Sequence, residues 1–187
     1  MKKALTLLAL AVMAVNAHGA QVAWNVTGIS FDGATLKNAA ATAFTASLFY
    51  LGQGGTLASS YDQAAIDSLD VVASATGTTA KGANSGTYTL NVDSNSNGDV
   101  FGMLLAYTSG EKTYYNIAST TYTLSGFSDA GSVIDKYNLV ASDMTYTTSS
   151  STSGSVSPGG GWTAVPEPST AALALAGLAL LLKRRKA

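Results

Sequence analysis

The run Asp93-Ser94-Asn95-Ser96-Asn97-Gly98-Asp99 sets side-chain oxygens at alternate positions and a glycine at a sharp turn. That is the pattern of the first half of an EF-hand calcium loop. The second half is missing: the twelfth position falls on Leu104, where calcium needs a bidentate Glu, and residues 87–92 and 100–107 read as strands where helices should flank. Asn and Asp also favour hairpin turns unaided, because their side chains bond the local backbone and tolerate positive φ. The expectation is a plain turn, with no metal and no cofactor.

Other catalytic vocabulary is sparse. Cysteine is absent, His18 is the single histidine, and both arginines, Arg184 and Arg185, lie near the C-terminus, so residues 20–165 contain no His, Cys or Arg. Serine-hydrolase triads, thiol nucleophiles and histidine-bound zinc or copper all need residue types missing from that stretch. Paired carboxylates remain open, since two acids about 5 to 9 Å apart can cleave a glycosidic bond. No spacing among the ten acids of residues 20–165 singles out a pair, and the expected reading is not an enzyme. Those acids face only Lys37, Lys81, Lys112 and Lys136, a net charge of −6 where the whole chain sums to −1. Four scattered lysines cannot displace the counterions of a phosphate backbone, so nucleic acid is not an expected partner.

Aromatic chemistry is the remaining option. Nine tyrosines lie between Tyr50 and Tyr146, often beside threonine, as in Thr87-Tyr88-Thr89-Leu90 and Thr121-Tyr122-Thr123-Leu124. Exposed rings could stack on sugars and make a carbohydrate-binding module with an extracellular polysaccharide as partner. Half-buried cross-strand pairs are the plainer reading, because tyrosine and threonine are both strong strand formers.

The elements that must carry these residues are mainly strands. Val22, Trp24 and Val26 share one face of a strand over residues 21–27, and Phe44, Ala46, Leu48 and Tyr50 share one face of a second over residues 42–51. Further runs cover residues 87–92, 100–107, 113–118, 121–124 and 137–147, separated by turn signals at residues 52–55, 94–98, 109–110 and 129–131. The expected fold is mainly β, a β-rich α+β domain: a single antiparallel sheet or sandwich, connected as a meander, with one short helix across it. That helix is expected over residues 60–73, where Ala64, Ala65, Ile66, Leu69, Val72 and Ala73 recur at three-and-four spacing behind Ser60 as N-cap. Asp62, Asp67 and Asp70 form its solvated side, and Asp62 suits the positive helix start.

Both ends of the chain read as traffic signals. Lys2 and Lys3, twelve uncharged residues from Ala4 to Val15, and small residues at Ala17, Gly19 and Ala20 make residues 1–19 a secretory signal peptide, cut after Gly19 with Ala17 as the alternative. As a helix the uncharged run covers about 18 Å, too short for a lasting span of a ~30 Å hydrocarbon core. Residues 20–147 then form one exported domain without disulfides, and residues 148–164, rich in Ser, Thr and Gly, have too little apolar surface to offset their ordering entropy and read as a flexible tether. Trp162 stands out there, as an interfacial aromatic before a membrane segment or as a residue packed back onto the domain. Residues 165–187 hold Pro166, Glu167 and Pro168, an apolar run from Ser169 to Leu182 read as a membrane helix, and the stop charges Lys183, Arg184, Arg185 and Lys186.

Proline-glutamate-proline, apolar stretch and basic cluster in that order resemble the PEP-CTERM sorting signal of Gram-negative bacteria. The resemblance covers about an eighth of the chain. It implies export by the general secretion machinery, transient anchoring in the inner membrane with the domain on the periplasmic side, and processing by an exosortase. It further implies that Pro166, Glu167 and Pro168 are the recognised residues, with the cell surface or extracellular matrix as destination. On this reading the chain is a substrate with a structural or adhesive role, and the resemblance leaves residues 20–147 unassigned.

Overall fold

Val22, Trp24 and Val26 alternate with Gln21, Ala23 and Asn25, and the strand this pattern predicts, β1 (Gln21–Val26), turns all three into the interior. The computed structural model describes residues 21–36, 44–76, 82–91, 93–127, 134–139 and 149–166. After β1 come β2 (Ser30–Phe31), β3 (Ala34–Thr35), β4 (Thr45–Gln53), α1 (Gln63–Asp67), β5 (Asp70–Thr76) and β6 (Asn84–Thr89). Then follow β7 (Asp99–Ser109), β8 (Lys112–Ile117), β9 (Tyr122–Thr123), β10 (Ile134–Leu139), β11 (Ser151–Thr152) and β12 (Thr163–Ala164). The protein is mainly β, as its composition predicts. Among the described residues no helix is long and apolar enough to cross a membrane. The leader at residues 1–19 and the apolar run at residues 169–182 lie outside the described residues.

Strand pairing departs from the expected antiparallel meander. One sheet has the order β10-β1-β6 and the larger one β11-β12-β8-β7-β4-β5, with β9 also on β7 and β2-β3 forming a separate hairpin. β1 runs parallel to β10 and β11 parallel to β12, while the other pairs are antiparallel. Alternation fixes which face of a strand is buried; it carries no information about which strand lies alongside.

β4 and β7 are buried on both faces. On one side Ala46, Leu48, Phe101, Met103 and Leu105 meet Val22, Trp24 and Val26 of the small sheet. On the other, Phe49, Leu104 and Ile117 are covered by Tyr61, Ile66, Val156 and Val165. Such two-sided burial explains why Ala46 to Phe49 and Asp99 to Leu105 form unbroken buried runs rather than alternating ones. Two ring–backbone contacts require glycine: a Cβ on Gly102 would enter the Phe49 ring across from it, and one on Gly86 would enter the Trp24 indole. Asn84, fully buried, joins the sheets by accepting from Trp24 Nε1 at 3.2 Å and donating from Nδ2 to the Ala75 carbonyl at 2.6 Å.

The helix expected over residues 60–73 is only one turn and a half. Asp62, not Ser60, is its N-cap, with its carboxylate accepting from the Ala65 amide at 2.8 Å. Its apolar periodicity breaks after Ile66 because Asp70 onward pairs antiparallel with β4, where the β-branched Val71 and Val72 suit a strand. Asp62, Asp67 and Asp70 are exposed, as the solvated side should be.

Residues 148–164 are a tether by composition, and residues 149–164 are part of the fold by structure. β11 and β12 extend the large sheet, and Val156 exchanges both backbone hydrogen bonds with Tyr61 at 2.8 Å. The few apolar residues of the segment do the packing: Val156, Trp162 and Ala164 are all buried, as is Val165 just beyond it. A composition average dilutes three residues that are each almost completely covered.

Candidate functional site

In the calcium-like loop Asn95 and Asp99 turn inward, while Asp93, Ser94, Ser96 and Asn97 are exposed. Asp99 is only 2 % exposed, and its carboxylate accepts from Asn95 Nδ2 at 3.2 Å, the Ser96 amide at 3.0 Å and the Tyr50 hydroxyl at 3.1 Å. Asn97 clasps Phe127, accepting from its amide at 2.7 Å and donating to its carbonyl at 3.2 Å. The loop joins β6 to β7 and these side chains hold it closed, which is the turn chemistry expected of Asn and Asp. Partial removal from water, followed by the hydrogen bond to Asp99 and the charges of Asp99 and Asp70, raises the Tyr50 phenol above its ordinary pKa.

Seven of the nine tyrosines fall where side chains are described, and none of those seven is exposed. Tyr50, Tyr88 and Tyr122 surround Phe101, with ring centroids 5.5, 6.0 and 6.4 Å away. Tyr107 and Tyr114 each sit 4.9 Å from Phe31, and Trp162 completes that second group at 6.0 Å. These are the half-buried pairs anticipated from their strand propensity. Tyr137 and Tyr146 lie outside the residues whose side chains are described.

Among the described residues, β12 is the last strand before the exposed Pro166. β12 lies between β11 and β8, with Thr163 opposite Tyr115 and Ala164 opposite Tyr114. Backbone amides of Ser151 and Ser153 donate to the carbonyls of Trp162 and Ala164, each at 3.1 Å. The Trp162 indole, 1 % exposed, donates from Nε1 to the Ser30 carbonyl at 2.8 Å. Next to Ser30, the β2–β3 turn has φ of 46° at Asp32 and 77° at Gly33, both left-handed, as a tight hairpin needs. Its Asp32 carboxylate accepts from the Ser150 amide at 2.6 Å and from the Ser150 hydroxyl at 3.1 Å. Trp162 therefore packs back onto the domain, and Ser150 is tied beside it.

Val165 is 7 % exposed in the second core, whereas Pro166 is exposed. No spacer separates core from motif. Pro166 forms one wall of an open cleft of about 430 Å³, whose other walls include Gln63, Lys112, Tyr115 and Thr152. Gln63 Nε2 spans the cleft floor between Asp67 Oδ1 at 2.8 Å and the Tyr115 hydroxyl at 3.3 Å. The cleft was not anticipated from sequence, whereas Trp162 packed back onto the domain was one of the two alternatives read there; the Asp32-Gly33 dipeptide between Phe31 and Ala34 is the one local signal that points to the anchoring hairpin. Glu167, Pro168 and Lys183, Arg184, Arg185 and Lys186 lie outside the described residues.

No curated protein and no solved structure matches the chain. Residues 164–186 match the PEP-CTERM protein-sorting motif, which is recognised by exosortase, while the rest of the chain matches no family. The motif's first two residues, Ala164 and Val165, are thus, among the described residues, the last buried ones. The chain carries a PEP-CTERM sorting signal, which implies exosortase-dependent sorting of an exported protein.

Proposed function

We propose that this protein is a non-catalytic surface or matrix component, released from a transient inner-membrane anchor by exosortase with its β-domain on the periplasmic side and then delivered to the cell surface or extracellular matrix. The observation that carries this reading is the direct junction between a sorting motif and a closed β-fold. Supporting it, Asn95 and Asp99 of the Asp93–Asp99 loop are hydrogen-bonded within the fold, and the grouped tyrosine rings pack against Phe101 and Phe31. Residues 20–165 also lack His, Cys and Arg. Residues 1–19 act as the cleaved signal peptide and residues 169–182 as the temporary membrane helix.

Deleting Pro166, Glu167 and Pro168 and following the protein by cell fractionation and mass analysis tests the address. The expected outcome is a precursor of unprocessed mass held in the membrane fraction; normal processing and destination would contradict it. A carbohydrate-recognising role needs exposed rings, which the seven described tyrosines do not provide. A glycan array probed with the exported protein should be blank, and saturable binding to one sugar class would favour that second reading instead.

A further inference from the structure

We infer that exosortase reads the folded domain together with the tail, using the cleft at Pro166 as a second recognition surface. The inference rests on exosortase-dependent sorting, which the motif implies. Val165 is locked into the second core, and from it the three motif residues can extend at most about 10 Å. An enzyme that grips Pro166 cannot avoid the cleft Pro166 helps to build.

The cleft offers graded chemistry to such a partner. The exposed Lys112 and Glu111 sit on its rim at the β7–β8 turn, the half-buried Tyr115 lies inside, and the exposed edge residue Thr152 closes the far side. β12 supplies the continuity: its strand runs from under the Trp162 anchor straight to Pro166, so Pro166 is held in a fixed place on the cleft wall. Rigid presentation lowers the ordering cost of docking, which a flexible tether would leave for the enzyme to bear.

The test follows processing of the full-length precursor by pulse-chase in cells containing the exosortase. One variant inserts six Gly/Ser residues between Val165 and Pro166, another fills the cleft with Thr152→Trp, and a third reverses its rim charge with Lys112→Glu. Melting temperature of each exported or trapped protein checks that the fold survives. The expected result is processing slowed about tenfold by the insertion and by Thr152→Trp, the scale of one lost interface anchor, with unchanged melting temperatures. Processing of the spacer variant at the parental rate or faster overturns the inference, because the tail alone would then suffice. Binding of the purified domain to anionic phospholipid vesicles through Lys112, with processing unaffected, would also overturn it and assign the cleft to lipid. Loss of the Pro166–Pro168 dependence itself is a separate outcome, which defeats exosortase sorting rather than the cleft.

Discussion

Trp162 and Ser30 are 132 residues apart in the chain and 2.8 Å apart in the fold, indole nitrogen to carbonyl oxygen. This bond fastens the segment before the sorting motif to the hairpin that follows β1. Truncating the ring in Trp162→Ala removes its edge contacts with Phe31 and Tyr107 and leaves a cavity, which should cost about 3–5 kcal/mol. Trp162→Phe keeps most of the packing but strands the Ser30 carbonyl, costing about 1–2 kcal/mol. Urea denaturation of both variants checks the ranking; wild-type stability in Trp162→Ala would mean the indole is not holding the segment.

Asn84 partners the buried Trp24 indole and the part-buried Ala75 carbonyl, on different sheets, at once. Asn84→Ala leaves the Trp24 indole N–H and the Ala75 carbonyl without their partner, a loss of about 1–3 kcal/mol for each group left unsatisfied. Near-ultraviolet dichroism of Trp24 should weaken in the same variant, since the bond that orients its ring is gone. An unchanged spectrum and midpoint would count against the bridge between the sheets.

Gly102 gives up its side chain to the Phe49 ring. A methyl there forces the ring or the β4–β7 pair apart, and Gly102→Ala should destabilise by about 1–3 kcal/mol. In a double-mutant cycle with Phe49→Ala the two costs should sum to more than the double variant shows, because the clash disappears with the ring. Strict additivity would indicate that the two positions do not touch.

Tyr50 makes the fold sensitive to alkali. Its folded pKa is raised above the ordinary 10.0, by removal from water first and by Asp99 second, so the folded state holds a proton that the unfolded chain releases. The stabilisation is full below about pH 10 and is lost as the pH climbs from there through the raised folded value. Tyr50→Phe should flatten the alkaline fall in stability, measured as the denaturation midpoint against pH. An identical slope in both proteins would remove Tyr50 from the account.

Particular residues explain how far the fold could be read from sequence. Val22, Trp24 and Val26 announce β1 because a half-buried strand must alternate. Phe49 misleads because β4 is covered on both faces, which only the tertiary arrangement reveals. Val72 and Ala73 continue the helical spacing of Ile66 and Leu69, yet the free edge of β4 draws them into β5, so tertiary pairing overrides a local period. The parallel pairing of β1 with β10, registering Trp24 against Tyr137, leaves no local trace at all. At the motif, Pro166, Glu167 and Pro168 were legible because their order beside an apolar run is local, whereas the cleft depends on α1, β8 and β11 meeting in space.

The direct junction between fold and sorting signal is most plainly tested by amide hydrogen exchange on the exported protein. Ser151, Ser153, Val156 and Gly159 donate their amides to Trp162, Ala164, Tyr61 and Ile117, so they should exchange about as slowly as the neighbouring amides of β7 and β8. Exchange of these four at the rate of an unstructured peptide, with β7 and β8 still protected, would return residues 149–164 to the role of a loose tether and contradict the account.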